Sequence, residues 1–155
     1  MKIAFDMDGT ILEYPQQYGS IIHALKAYGG YHITIMTGRK DSSYPDDIDE
    51  LRCLGIAYDD FLNSGKFNPQ EIQLERWALK GQISCDRDEV VCMWKAREIR
   101  ERGFDIVIDD AADKIRLYIE EDSKAMILKS PTAFNQVFAK WGKDHIVEHC
   151  NHESN

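Results

Sequence analysis

A chain of 155 residues with 43% apolar and 30% charged side chains has the make-up of an ordinary soluble domain, and at this length roughly 68–70% of the unfolded surface can be buried around a core. Its 19 lysines and arginines against 27 aspartates and glutamates leave a formal charge of −8, which excludes generic affinity for nucleic-acid phosphates as the main activity, though not a local basic site. No apolar run reaches membrane-spanning length. Asp6 and Asp8 interrupt the place where a signal peptide needs its apolar segment, and Cys53, Cys85, Cys92 and Cys150 form neither a CxxC pair nor a zinc-like spacing, so a cytoplasmic protein with reduced thiols is expected.

The chain opens on an apolar strand, Lys2-Ile3-Ala4-Phe5, that runs into Asp6-Met7-Asp8-Gly9-Thr10. Residues i and i+2 of a strand point to one side, so both carboxylates should face one pocket beyond its carboxyl end, with Gly9 permitting a tight turn. Glu13–Gln17 reads as a loop. Ser20–Tyr28 reads as a helix stopped by Gly29-Gly30, and His32–Met36 as a β-branched strand ending in Thr37-Gly38-Arg39. Strand, helix and strand at this pitch form a βαβ unit with parallel strands.

A polar loop leads to a helix over Pro45–Leu54, with Pro45 suited to the first turn and Gly55 to the end. A short strand follows over Tyr58–Leu62, and then a helix over Glu71–Leu79. Asp86 and Glu89 have the spacing of a capping box for a helix that runs to about Arg102. Phe104–Ile108 is a continuous apolar run suited to a buried parallel strand, and it ends in Asp109-Asp110. Asp113–Glu120 reads as a helix, Ala125–Leu128 as a fifth strand and Thr132–Trp141 as a last helix. The expected fold is therefore a three-layer α/β/α, Rossmann-like parallel sheet of about five strands with a small helical insertion. Residues 1–150 form one domain in this reading, with 63–94 as room for a small insertion and 151–155 as a loose tail.

In an open parallel sheet the ligand site lies outside the carboxyl ends of the strands. Asp6 and Asp8, Thr37, and Asp109 and Asp110 stand at three such ends. Four acids brought together call for a hard divalent cation with oxygen ligands, such as Mg2+.

At this point the chain resembles the haloacid dehalogenase-like (HAD) hydrolase superfamily. Asp6-x-Asp8-Gly9-Thr10 matches its first motif, and Thr37 after an apolar strand and before Gly38-Arg39 matches its second. Lys95 ahead of a helix and strand matches the third, and Ile108-Asp109-Asp110 the fourth. The resemblance covers about residues 1–128. It implies a Mg2+-dependent phosphatase in which Asp6 attacks phosphate and Asp8 is the general acid and base. Thr37 and backbone N–H groups around Met7, Gly9 and Thr10 would hold phosphate oxygens, with Gly38 and Arg39 beside them, and Lys95 would pair with Asp6. Asp6, the backbone carbonyl of Asp8, and Asp109 or Asp110 would bind the metal.

Lys66 in Ser64-Gly65-Lys66 competes with Lys95 for the lysine role, since a helix from Arg87 places Lys95 mid-helix. Asp113 suits either a supporting acid or an ordinary helix start. His145, His149, Cys150 and His152 have roughly ligand-like spacing in a tail.

Asp8 to Thr37 is too short for a cap domain, which leaves 63–94 as the cap candidate, with Trp77 and Trp94 suited to base stacking or to the core. The run from Lys95 to Asp110 is similar to deoxyribonucleotidase-like and polynucleotide 3′-phosphatase members, so a nucleotide or other small phosphoester is the expected substrate and no membrane partner is expected. A polynucleotide-end phosphatase or phosphotransferase is the alternative, and an idle HAD-fold binding protein is the alternative of another class.

Overall fold

The computed structural model describes residues 1–66, 87–119 and 121–131. Five strands form one parallel sheet: β1 (Lys2–Phe5), β2 (His32–Thr37), β3 (Asp60–Asn63), β4 (Ile106–Asp109) and β5 (Met126–Lys129). Their order is β3-β2-β1-β4-β5, so β1 is central. Ile3 stands level with both Ile33 of β2 and Ile106 of β4. The described helices are α1 (Pro15–Tyr28), α2 (Tyr44–Cys53), α3 (Arg87–Arg102) and the short α4 (Ala112–Arg116).

Strand alternation sorts the core into two layers. Ile3, Phe5, Ile33, Ile35 and Ile108 point to one face and meet Tyr18, Ile21, Ile22 and Leu25 of α1 and Leu51 of α2. Ala4, Met36, Val107 and Ile127 point to the other and meet Met93, Trp94 and Ile99 of α3 and Ile115 of α4. Both sheet faces are covered, as a parallel sheet requires, giving the three-layer arrangement expected from the alternation of strands and helices. Each fully buried Ile, Leu or Phe contributes about 1.5–3 kcal/mol to holding the layers.

Several boundaries differ from the sequence reading for local reasons. The expected loop over Glu13–Gln17 is helical from Pro15 onward, because proline's fixed φ suits a first helical turn. Fully buried Tyr18 extends the apolar stripe to 18, 21, 22 and 25, the i, i+3, i+4, i+7 face of a helix. The fourth strand begins at Ile106 rather than Phe104 and includes Asp109, and the helix expected over Asp113–Glu120 ends at Arg116. Trp94 is 4% exposed within the core, so it is a packing residue. No described helix is long and apolar enough to cross a membrane. Most of the 63–94 segment, with Trp77, and the helices expected over Glu71–Leu79 and Thr132–Trp141 lie outside the described residues, as do Asp86 of the capping box and the His145–His152 group.

Candidate functional site

The strand order reverses between β1 and β4, and in such sheets that crevice is where ligands bind. A cleft of about 470 Å³ opens there, lined by Asp6, Asp8, Gly9, Gly38, Arg39, Lys95, Asp109 and Asp110 among others. The two acids of the first strand do enter one cleft, but they do not share a counter-ion. Asp6 is buried and turned toward Lys95, whereas the Asp8 side chain is 54% exposed and turned toward Arg39.

Asp6 continues the extended backbone of β1, and its N–H donates to the Ile108 carbonyl (2.9 Å). The turn Met7–Ile11 follows, non-helical at Asp8 and at Gly9, whose φ is 72°. This turn brings the backbone against the neighbouring strand end: a Cβ on Gly9 would lie 2.6 Å from Cγ of Asp110. Met7 and Thr10 are fully buried in this turn, and of its residues Asp8 and Gly9 line the cleft. The Thr10 hydroxyl has no hydrogen-bond partner among the described residues.

Lys95 reaches the site from the middle of α3, because this helix lies along the cleft. Asp88, Val91, Cys92 and Lys95, one i, i+3, i+4, i+7 face, all line it. The Lys95 Nζ donates to Asp6 Oδ1 (2.7 Å) and to Asp109 Oδ2 (2.6 Å). Burial works against the ammonium, but Asp6 and Asp109 outweigh it and hold Lys95 protonated. Lys66, the competing lysine, ends the turn Ser64–Lys66 after β3. Burial pushes the Asp6 carboxyl up to about 7; Lys95 pulls against this, while Asp109 and Asp110 add to it. Asp110 is raised as well, by burial and by its neighbour Asp109. Burial likewise pushes the Cys92 thiol up to about 11, which makes it a poor nucleophile at neutral pH.

Carboxylate oxygens of Asp6, Asp109 and Asp110 lie within 4.8 Å of one another. Three carboxylates with one ammonium leave an excess of two negative charges when all are ionised. An all-oxygen donor set with that excess fits a hard divalent cation. Asp109 is further fixed by the Ala111 N–H on its Oδ1 (2.8 Å). Asp113 stands apart, exposed and paired with Lys129 and Arg116.

Thr37, fully buried at the end of β2, sets its hydroxyl toward Asp8 Oδ2 (3.4 Å) and accepts the Arg39 N–H (3.2 Å). Gly38 is packed against α3, where a Cβ would meet Val91 Cγ1 at 2.9 Å. Its carbonyl accepts from Ser64 Oγ (2.6 Å) and Arg87 Nη2 (3.1 Å). The Arg39 guanidinium forks Asp8, with Nε on Oδ2 at 2.9 Å and Nη2 on Oδ1 at 2.6 Å. Its Nη1 donates to Asp47 (2.6 Å) and Glu50 (3.1 Å) of α2. Hydrogen bonds to Asp8 and to these acids drive its pKa still higher against the cost of burial.

Three residues near the site escaped the sequence reading. Arg87 and Lys114 line the cleft as exposed cations, and nothing in a charged helix distinguishes them from solvated side chains. Asp47 is fully buried although its neighbour Asp46 is exposed. In sequence both are acids in the first turn of a helix.

The sequence matches no protein-family model and no curated protein. Among solved structures, a chain of the Pnkp1/Rnl/Hen1 RNA repair complex shares the fold, with a TM-score of 0.53 at 14% identity over 83% of this chain. The match spans 42% of that longer chain.

Proposed function

We propose that the protein is a Mg2+-dependent phosphomonoester hydrolase of HAD type. The observation that carries the reading is the buried Asp6–Lys95–Asp109 triad at the end of the central strand, with Asp8 two residues on in the same cleft. Lys95 occupies Oδ1 of Asp6 and leaves Oδ2 to attack phosphorus. As the aspartyl-phosphate forms, the bond to the ester oxygen breaks, and Asp8 gives that oxygen its proton. Asp8 then takes a proton from the water that cleaves the aspartyl-phosphate, which releases inorganic phosphate and restores Asp6. Thr37 and the backbone N–H groups of the Met7–Thr10 turn donate to phosphate oxygens, alongside Gly38 and the N–H of Arg39 left over from its acid partners. Asp6, Asp109 and Asp110, with the Asp8 carbonyl, would hold Mg2+, which supplies charge neutralisation for the incoming phosphate.

A nucleotide is the favoured substrate. The exposed cations Arg87 and Lys114 on the cleft wall favour a second reading, a substrate with further phosphates such as a polynucleotide 3′ end. The structural neighbour's place in an RNA repair complex agrees with that reading. The test is phosphate release from p-nitrophenyl phosphate, nucleoside monophosphates and a 3′-phosphorylated oligonucleotide, with Mg2+, by wild type and Asp6→Asn. Turnover by wild type alone is expected, and the preferred substrate separates the two readings. Absence of release from every ester would make the protein a binding module.

A further inference from the structure

We propose that Asp47 is a positioning residue for catalysis: buried on the inner face of α2, it sets the plane of the Arg39 guanidinium, and Arg39 in turn fixes the Asp8 side chain in the cleft, keeping hold of one oxygen while the other carries the proton for the leaving group. The proposal rests on the phosphatase reading above and extends it to a residue that never meets substrate.

Asp47 is 0% exposed, and burying a carboxylate is expensive. Packing of α2 does not require it, since Leu51 supplies the helix's buried apolar contact and its other acids, Asp46, Asp49 and Glu50, are exposed. What Asp47 does have is a fixed partner set. Its Oδ1 accepts from Arg39 Nη1 at 2.6 Å, and its Oδ2 faces the Ser43 hydroxyl at 3.1 Å. A guanidinium is a rigid planar fork, so anchoring Nη1 at a buried point fixes where Nε and Nη2 aim. They aim at the two oxygens of Asp8. The Asp8 side chain is half exposed and lies within the Met7–Ile11 turn, so among the described contacts this clamp and the Thr37 hydroxyl are what restrict its rotamer.

The donor count supports the same role. Four of the five guanidinium N–H groups are engaged by Asp8, Asp47 and Glu50, which leaves one for a substrate oxygen. Glu50 cannot replace Asp47 as the anchor, because its own side chain is 44% exposed and free to swing into solvent.

A residue that acts through the general acid should matter in proportion to how much the leaving group needs a proton. The experiment compares kcat/KM for p-nitrophenyl phosphate, whose phenolate leaves unaided, with that for glycerol phosphate, whose alkoxide must be protonated. In Asp47→Asn, the glycerol phosphate value is expected to fall about 10–100-fold, a fraction of the full general-acid effect, with KM little changed. The p-nitrophenyl phosphate value should stay within about threefold. Because a buried substitution can unfold the chain, Arg39→Lys is the second variant. A lysine reaches Asp47 or Asp8 but cannot bridge them as a fork, and it also loses the phosphate contact of Arg39, which lowers both esters alike. Beyond that common loss the glycerol phosphate to p-nitrophenyl phosphate ratio is expected to fall as in Asp47→Asn, and in the double variant the ratio should fall little further. Equal losses on both esters, or no loss, in either folded variant would overturn the proposal. If wild type hydrolyses neither ester, or Asp6→Asn hydrolyses both, the phosphatase reading itself has failed. Active wild type, inert Asp6→Asn and an unchanged ratio in the Asp47 and Arg39 variants would remove this inference alone.

Discussion

Replacing Asp6 by asparagine should abolish turnover and, in metal-free protein, stabilise the fold. The Asp6 carboxyl is almost wholly buried, and its pKa stands at about 7 instead of 3.8. A folded-state value above the unfolded one means that the native state holds its proton more tightly. Stability from this group is therefore complete below pH 3.8 and is lost as pH rises through about 7. At about 1.4 kcal/mol for each tenfold change in acidity, the full loss is about 4 kcal/mol. Asparagine imitates the protonated acid and never incurs it. Urea unfolding in EDTA should thus show the variant equal to wild type near pH 4 and more stable by up to about 4 kcal/mol at pH 8. Mg2+ should narrow the gap, since binding to the native carboxylates raises wild-type stability by mass action. A variant that is less stable than wild type at pH 8, or a gap that ignores pH, would show that burial does not dominate at Asp6.

Further outcomes follow from the same charges and contacts. Lys95→Met leaves Asp6, Asp109 and Asp110 without their buried cation, and removing one partner of such a group typically costs about 3–5 kcal/mol. Chemical denaturation at pH 8 should register that loss, and adding Asp6→Asn should recover part of it. Gly9→Ala forces a side chain onto a backbone with φ of 72° and into the Asp110 carboxyl. The strain should destabilise the fold by about 1–3 kcal/mol, and calorimetry should show weaker Mg2+ binding than in wild type. Mg2+ affinity in wild type should rise about tenfold from pH 6 to pH 8, because the ion must displace the Asp6 proton held up to about 7. Titration calorimetry with a pH-independent affinity would place the ion away from Asp6.

Much of the sheet was legible because its information is local. Alternation along Ile3-Ala4-Phe5 and Ile33-Thr34-Ile35-Met36 determines both the strands and which core layer each side chain enters. The acids at strand ends could be read as neighbours because a parallel sheet brings its carboxyl ends to one edge. Lys95 was harder. Its mid-helix place looked like a fault until α3 proved to lie along the cleft, where an i, i+7 pair spans two turns and still faces one line of contact. Tyr18 was hidden by Pro15, which reads equally well as loop punctuation and as a helix start.

The amino-acid sequence by itself determined the alternation of strands and helices, the apolar faces that pack them, and the acids delivered to one sheet edge, since all of these depend on periodicity and on residues near in the chain. Only the tertiary structure decided how the charges pair. It gave Asp6 to Lys95 and Asp8 to Arg39, buried Asp47 while leaving Asp46 in solvent, and pressed Gly9 against Asp110. Such pairing depends on which groups lose water together when distant elements dock, and burial acts on each carboxyl through everything packed around it.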